Sequence, residues 1–220
     1  MNTRVIDLSH PVEHNMVTYP GLPGPVIGDH LSRADSRGRY AEGTEFQIGT
    51  VTMLSNTGTY LDAPFHRFPD GADLAALDLS RLVDLDGVVI DATDRAVGPE
   101  AFADLDVTGR AVIVRTGWDR HWRTPEYGGA QAPFVTAAAA EWLVERQPAL
   151  VGIDSVNIDD LADLSRPTHT ALLAAGIPII EHLRGLDRLS PAGFRFHAAP
   201  VGMVGMGTFP VRAYAIVDGV

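Results

Sequence analysis

Four short runs made mainly of Val, Ile, Leu and Ala, two of them holding Gly152 and Pro178, constrain this chain more than any other feature. They lie at residues 88–90, 111–114, 150–153 and 177–180. Each is too short for a helix and is apolar at successive positions, which is the pattern of a strand covered on both faces. Two helical segments fall among them. Residues 136–146 hold a run of Ala and then Glu141, Trp142, Leu143 and Glu145, all compatible with helix. Residues 167–175 are opened by Ser165 and Pro167 and stopped by Gly176. The ends are richer in strand. Residues 5–8 and 44–53 read as strands, and residues 194–217 as two long strands around a turn near Gly207–Pro210. Residues 11–43 and 117–133, punctuated by Gly and Pro, read as long ordered loops. Alternating strands and helices between strand-rich ends predict a mixed α/β domain spanning residues 1–220.

Composition narrows the chemistry. The chain of 220 residues is 45% hydrophobic and carries a net charge of −11, enough apolar material for a large core. The acidic balance argues against nucleic acid and anionic membrane as partners. Every basic residue is Arg and none is Lys, which excludes lysine Schiff-base chemistry. The absence of Cys excludes disulfides, thiolate metal sites and Cys nucleophiles. No apolar run is long enough to span a membrane and the start has no signal-peptide pattern, so a cytoplasmic location is expected. Eight His remain as the main source of acid–base or metal chemistry.

Two polar groupings stand out. The first is Asn56-Thr57-Gly58-Thr59-Tyr60-Leu61-Asp62-Ala63-Pro64-Phe65-His66. Gly58 and Pro64 interrupt any helix, and in an irregular loop Asn56, Tyr60, Asp62 and His66 can face one point; a turn in which Asn56 and Asp62 cap backbone N–H groups is the plainer alternative. The second pairs His169, on the second helix, with Glu181, at the end of the apolar run 177–180. A carboxylate there needs a partner, an Arg or a metal, while a single helical His is more often structural. If the strand continues, His182 points away from Glu181. Trp118, Trp122 and Tyr127 can wall a pocket for an aromatic substrate or simply pack.

With these strings in hand, the chain resembles the cyclase-like metal hydrolases that include bacterial kynurenine formamidase and isatin hydrolase. Their signature, His-x-Gly-Thr-His-x-Asp-x-Pro-x-His, corresponds to residues 56–66, with Asn56 and Tyr60 where the signature has His. Ile6-Asp7-Leu8-Ser9-His10 with Tyr19-Pro20-Gly21, Arg115-Thr116-Gly117-Trp118, Gly152-Ile153-Asp154, Ile179-Ile180-Glu181-His182-Leu183 and Pro210-Val211-Arg212-Ala213 extend the resemblance almost end to end.

The resemblance implies a swivelling β/β/α fold, a homodimer or homotetramer, and metal-dependent hydrolysis of a C–N bond in a small amide or lactam. It implies metal ligation by Asp62, His169 and Glu181, and acid–base catalysis by His66. Asn56, Tyr19 and Trp118 are the expected substrate contacts. An amide and a neutral phenol are poor ligands beside imidazole, so the expectation is one divalent ion, Zn or Mn, per chain, with Tyr60 free to stabilise an oxyanion. Two other readings remain open at this point: a metal-poor or metal-free cyclase, dehydratase or isomerase, and a silent small-molecule binder.

Overall fold

A computed structural model describes residues 3–219. In chain order the strands are β1 (Thr3–Asp7), β2 (Val26–Leu31), β3 (Ile48–Thr52), β4 (Tyr60–Asp62), β5 (Leu85–Asp91), β6 (Ala96–Val97), β7 (Ala111–Arg115), β8 (Phe134–Val135), β9 (Leu150–Ile153), β10 (Ile179–Glu181), β11 (Ala192–His197), β12 (Thr208–Pro210) and β13 (Tyr214–Asp218). The helices are α1 (Arg33–Ser36), α2 (Ala137–Arg146) and α3 (Pro167–Ala174). Nine strands form one mixed sheet in the order β1-β13-β11-β5-β7-β9-β10-β4-β12.

The apolar runs become its centre. β5, β7, β9 and β10 are parallel neighbours, and their side chains alternate between two cores as period-two strands must. Val89, Ala111, Ile113, Leu150 and Ile180 enter one core. Val88, Ile90, Val112, Val114, Val151, Ile153 and Ile179 enter the other, where α2 and α3 cover them with Ala139, Ala140, Leu143, Leu172 and Leu173. The first core contains no helix side chains from α2 or α3. It is closed by the curl of the sheet itself, through Ile6, Leu61, Phe194, Phe196 and Ala215. The helix boundaries follow the local signals: the Thr136 side chain accepts from the Ala139 N–H at the start of α2, and Gly176, at φ +71°, follows α3.

Three expectations need correction. The segment 11–43 is not one loop, because β2 and α1 lie in it and β2 pairs with β3 as a separate two-stranded ribbon. The strand expected over 44–53 begins only at Ile48. The tail forms β11, β12 and β13 rather than two long strands. Residues 208–210, expected near a turn, form β12, which pairs with β4, while β13 returns beside β11 and β1.

Candidate metal and acid–base site

The strip β10-β4-β12 assembles the site by register. Glu181 lies opposite Tyr60, and Thr208 lies opposite Asp62. Tyr60 and Asp62, two apart on β4, therefore share a face. The signature segment, read above as an irregular loop, is a short strand here followed by a 3-10 turn, Pro64–His66. α3 brings His169 over the same face. Tyr60, Asp62, His66, His169 and Glu181 line one cavity of about 280 Å³, together with Asn56 and Tyr19.

Three donor atoms converge in it. His169 Nε2 lies 3.6 Å from Asp62 Oδ2 and 3.5 Å from Glu181 Oε1, and the three donors all lie within 4.8 Å of one another. All three side chains are buried. Asp62 Oδ2 has no hydrogen-bond partner, an expensive state for a buried carboxylate oxygen unless a cation faces it. Tetrahedral N and O ligands about 2.1 Å from zinc stand roughly 3.4 Å apart, close to the separations found. The donor set thus fits a divalent cation, and one imidazole with two carboxylates suits Mn as well as Zn.

The partners of these groups fix their orientation. The Asp159 carboxylate accepts from the backbone N–H groups of Thr168 and His169, and its Oδ2 accepts from His169 Nδ1 at 2.6 Å. That bond leaves Nε2 to face the two carboxylates, the arrangement of a histidine ligand held by a carboxylate. Burial works against charge on His169, yet Glu181, Asp159 and Asp62 raise its pKa to about 10. A divalent ion at Nε2 would compete with a proton for that nitrogen. Burial, with the charge of Asp62 adding to it, raises Glu181 to about 7. Its Oε1 accepts from the Ile158 N–H at 2.7 Å.

Glu181 Oε2 is occupied differently. The Tyr60 hydroxyl donates to it at 2.5 Å, and the Tyr19 hydroxyl lies 3.3 Å from it and 2.8 Å from that of Tyr60. Burial and the charge of Glu181 push both phenols well above their ordinary range, so they remain proton donors rather than anionic ligands.

His66 is set by a residue that sequence reading missed. The single hydroxyl proton of Thr208 goes to Asp62 Oδ1 at 2.5 Å, because a carboxylate can only accept. Towards His66 Nδ1, 2.8 Å away, the same oxygen must then accept. His66 is thereby fixed as the Nδ1–H tautomer, with a bare Nε2. Its imidazole is more than a third exposed, so Nε2 can reach a reacting group. Gly207 makes the approach possible, since a Cβ there would lie 2.3 Å from the His66 backbone nitrogen.

Of the expected site residues, Trp118 alone lies outside the cavity lining. It is buried with Tyr127, Ala132 and Val156, and its indole N–H donates to the Tyr127 carbonyl. His182 takes a left-handed backbone at φ +57° as β10 ends. Its ring is buried against Tyr127 and Tyr60 and not in the cavity. Asp159 was also missed; the only sequence signal was an acid placed before a Pro-started helix.

The comparisons bear on family and fold. A sequence profile of the Cyclase family, described as "Putative cyclase", matches residues 6–160. A kynurenine formamidase from Geobacillus thermodenitrificans is 29% identical over 210 residues, covering 94% of this chain and 95% of its own. Among solved structures, a "Potential Metal-Dependent Hydrolase With Cyclase Activity" superposes with a TM-score of 0.81 at 26% identity, over 100% of both chains. An isatin hydrolase bound to the product analogue thioisatinate shares the fold with a TM-score of 0.83 at 23% identity, over 99% of this chain and 93% of its own.

Proposed function

The chain belongs to the cyclase family, and on that footing we propose that it hydrolyses the C–N bond of a small cyclic or aromatic amide, using one divalent cation, Zn or Mn, held by Asp62, His169 and Glu181. The observation that carries this reading is the unpartnered Asp62 Oδ2, buried and facing His169 Nε2. The amide class is supported by the relatives named as kynurenine formamidase and isatin hydrolase.

A divalent cation held there would supply Lewis acidity, lowering the pKa of water and polarising a carbonyl. The chain's own residues do the rest. His66 Nε2 accepts the proton of the attacking water and returns it to the leaving nitrogen, a task suited to imidazole. Thr208 keeps the imidazole in the tautomer that can do so. Asp159 orients His169. Tyr60, its proton committed to Glu181, positions that carboxylate instead of serving an oxyanion. With Glu181 Oε2 capped by the Tyr60 phenol, and with amide and phenol in place of two imidazoles, the donor set supports one ion and not two. Asn56 lines the cavity half-buried and is placed to bind the substrate carbonyl. Tyr19 and Leu22 supply the apolar wall.

We also infer a homodimer or homotetramer. The β2–β3 ribbon leaves Val26, Ile27, Ile48 and Val51 exposed, and an isolated two-stranded ribbon is marginal in water. Light scattering should give at least twice 23.6 kDa; a monomer at micromolar concentration contradicts this.

The function is tested by comparing metal content and turnover of an aryl formamide or isatin in two variants. His66→Ala should abolish turnover and keep the metal, whereas Asp62→Ala should lose both. Loss of metal from His66→Ala would make His66 a ligand. A parent with no metal and no turnover that still binds the amide would favour the silent-binder reading.

A further inference from the structure

We propose that a second cavity, separate from the metal site, binds a small oxyanion, a carboxylate or a phosphate-type group, through Arg184. This cavity, of about 350 Å³, is lined by Asp7, Ser9, His10, Val12, Arg184 and Arg212 among others. It shares no lining residue with the cavity that holds Asp62, His169 and Glu181. Its chemistry is independent of amide hydrolysis.

Arg212 Nε and Nη2 donate to the two Asp7 carboxylate oxygens at 2.9 and 2.8 Å. That fork answers the Asp7 charge one for one. Arg184 is left over. Its Nη2 stands 3.6 Å from Asp7 Oδ2, and its Nε has no hydrogen-bond partner. Among the described residues Asp7 is the sole acidic side chain within 4.0 Å of it. The Arg184 side chain is 39% exposed and lines the cavity, so its guanidinium is accessible to a ligand. His10 registers the same imbalance. Burial, and then the charges of Arg184 and Arg123, lower its pKa to about 3 against the opposing charge of Asp7. Positive potential thus persists beside Asp7, on a chain whose net charge is −11. An oxyanion meets both the charge and the donor fork of a guanidinium.

The walls are built before any ligand arrives. The Arg184 N–H donates to the Leu8 carbonyl at 3.0 Å, and Ser9 pairs with Leu183 as an isolated antiparallel bridge. The His10 N–H donates to Thr59 Oγ1 at 2.9 Å, and the His10 ring stacks on Trp122. Main-chain bonds therefore hold both segments that line the cavity, and little ordering cost opposes binding. Pro11, Val12 and Val211 supply an apolar wall, which suits an oxyanion carried on a small organic molecule.

The test is calorimetric titration of metal-loaded protein with sodium sulfate and with sodium acetate at constant ionic strength. Sulfate stands for a phosphate-type group and acetate for a carboxylate, and at least one should saturate at one equivalent per chain. Arg184→Gln should weaken that binding about tenfold or more, the scale of a lost hydrogen bond between charged groups, and keep the parent's metal content. Arg166→Gln, which alters the metal cavity instead, should bind the anion as the parent does. Anomalous scattering from selenate in crystals of the parent should place the anion against Arg184, and this decides the assignment if Arg184→Gln fails to fold. Three results overturn it: no saturable binding of either anion, binding unchanged in Arg184→Gln, or selenate located in the metal cavity with binding lost in Arg166→Gln.

Discussion

Replacing Thr208 with Val removes one hydroxyl and nearly nothing of the side chain's shape. That hydroxyl donates to Asp62 Oδ1 at 2.5 Å and accepts from His66 Nδ1 at 2.8 Å. Two effects follow. Asp62, fully buried, loses a hydrogen bond to a charged group, which costs about 1.5–3 kcal/mol. His66 loses the acceptor that fixes its tautomer, so a fraction of molecules presents a protonated Nε2 and cannot act as base. If the same energy is expressed in transition-state positioning, at about 1.4 kcal/mol per decade, kcat falls roughly 10- to 150-fold. The Asp62 oxygen that faces His169 is the other one, Oδ2, so metal stoichiometry should hold. The assay is steady-state hydrolysis of an aryl formamide beside metal analysis and urea unfolding, with Thr208→Ser expected to restore most of the rate. An unchanged kcat in Thr208→Val would refute the tautomer argument, and a lost metal would mean that Thr208 supports ligation instead.

Other outcomes follow from the same contacts. Asp159→Asn should weaken metal affinity about 10- to 100-fold, read by competition with a chelator, because His169 Nδ1 loses its carboxylate partner; unchanged affinity would remove Asp159 from the site. Gly207→Ala should destabilise the fold by about 1–3 kcal/mol, since the new Cβ meets backbone at His66, and a wild-type denaturation midpoint would contradict that close approach. Burial, aided by Arg184 and Arg123, lowers His10 to about 3 from 6.5. The unfolded chain thus binds the extra proton first, and the His10 contribution to stability falls as pH drops below 6.5, by about 2 kcal/mol between pH 7 and pH 5; His182, lowered likewise to about 3 by burial, acts in the same direction. His10→Phe, which can keep the ring stacked on Trp122, should reduce that slope in urea titrations by the His10 share; an identical slope would show that other groups cause it.

The centre of the fold was legible because burial of both sheet faces demands continuous apolar runs, and those at 88–90, 111–114 and 150–153 became β5, β7 and β9. Helix α2 was legible from its Ala run. β12 was not. It has three residues, and its partner β4 lies far away in sequence, so no local pattern marks it and its Gly-flanked residues resemble a turn. The ribbon strand β2 was hidden for a related reason: with both faces exposed, it lacks the apolar alternation that identifies a strand.

At the site, Asp62, His169 and Glu181 were legible as chemistry-bearing types in the family's order, and the structure brings their donor atoms together. Thr208 carries no signal of its own, and Asp159 only that of an acid before a Pro-started helix, because their roles exist only through side chains brought to them by folding. Trp118 misled for the opposite reason. An aromatic residue beside a Gly-rich segment suits a pocket wall and a core equally, and here the indole N–H found a backbone carbonyl in the core.

The central claim is a single divalent cation on Asp62, His169 and Glu181. Titration calorimetry of the chelator-stripped chain with Zn or Mn tests it most directly. The account predicts saturation at one equivalent per chain, with uptake of the ion abolished in Asp62→Ala. Saturation at two equivalents, or binding that persists unchanged in Asp62→Ala, would contradict it.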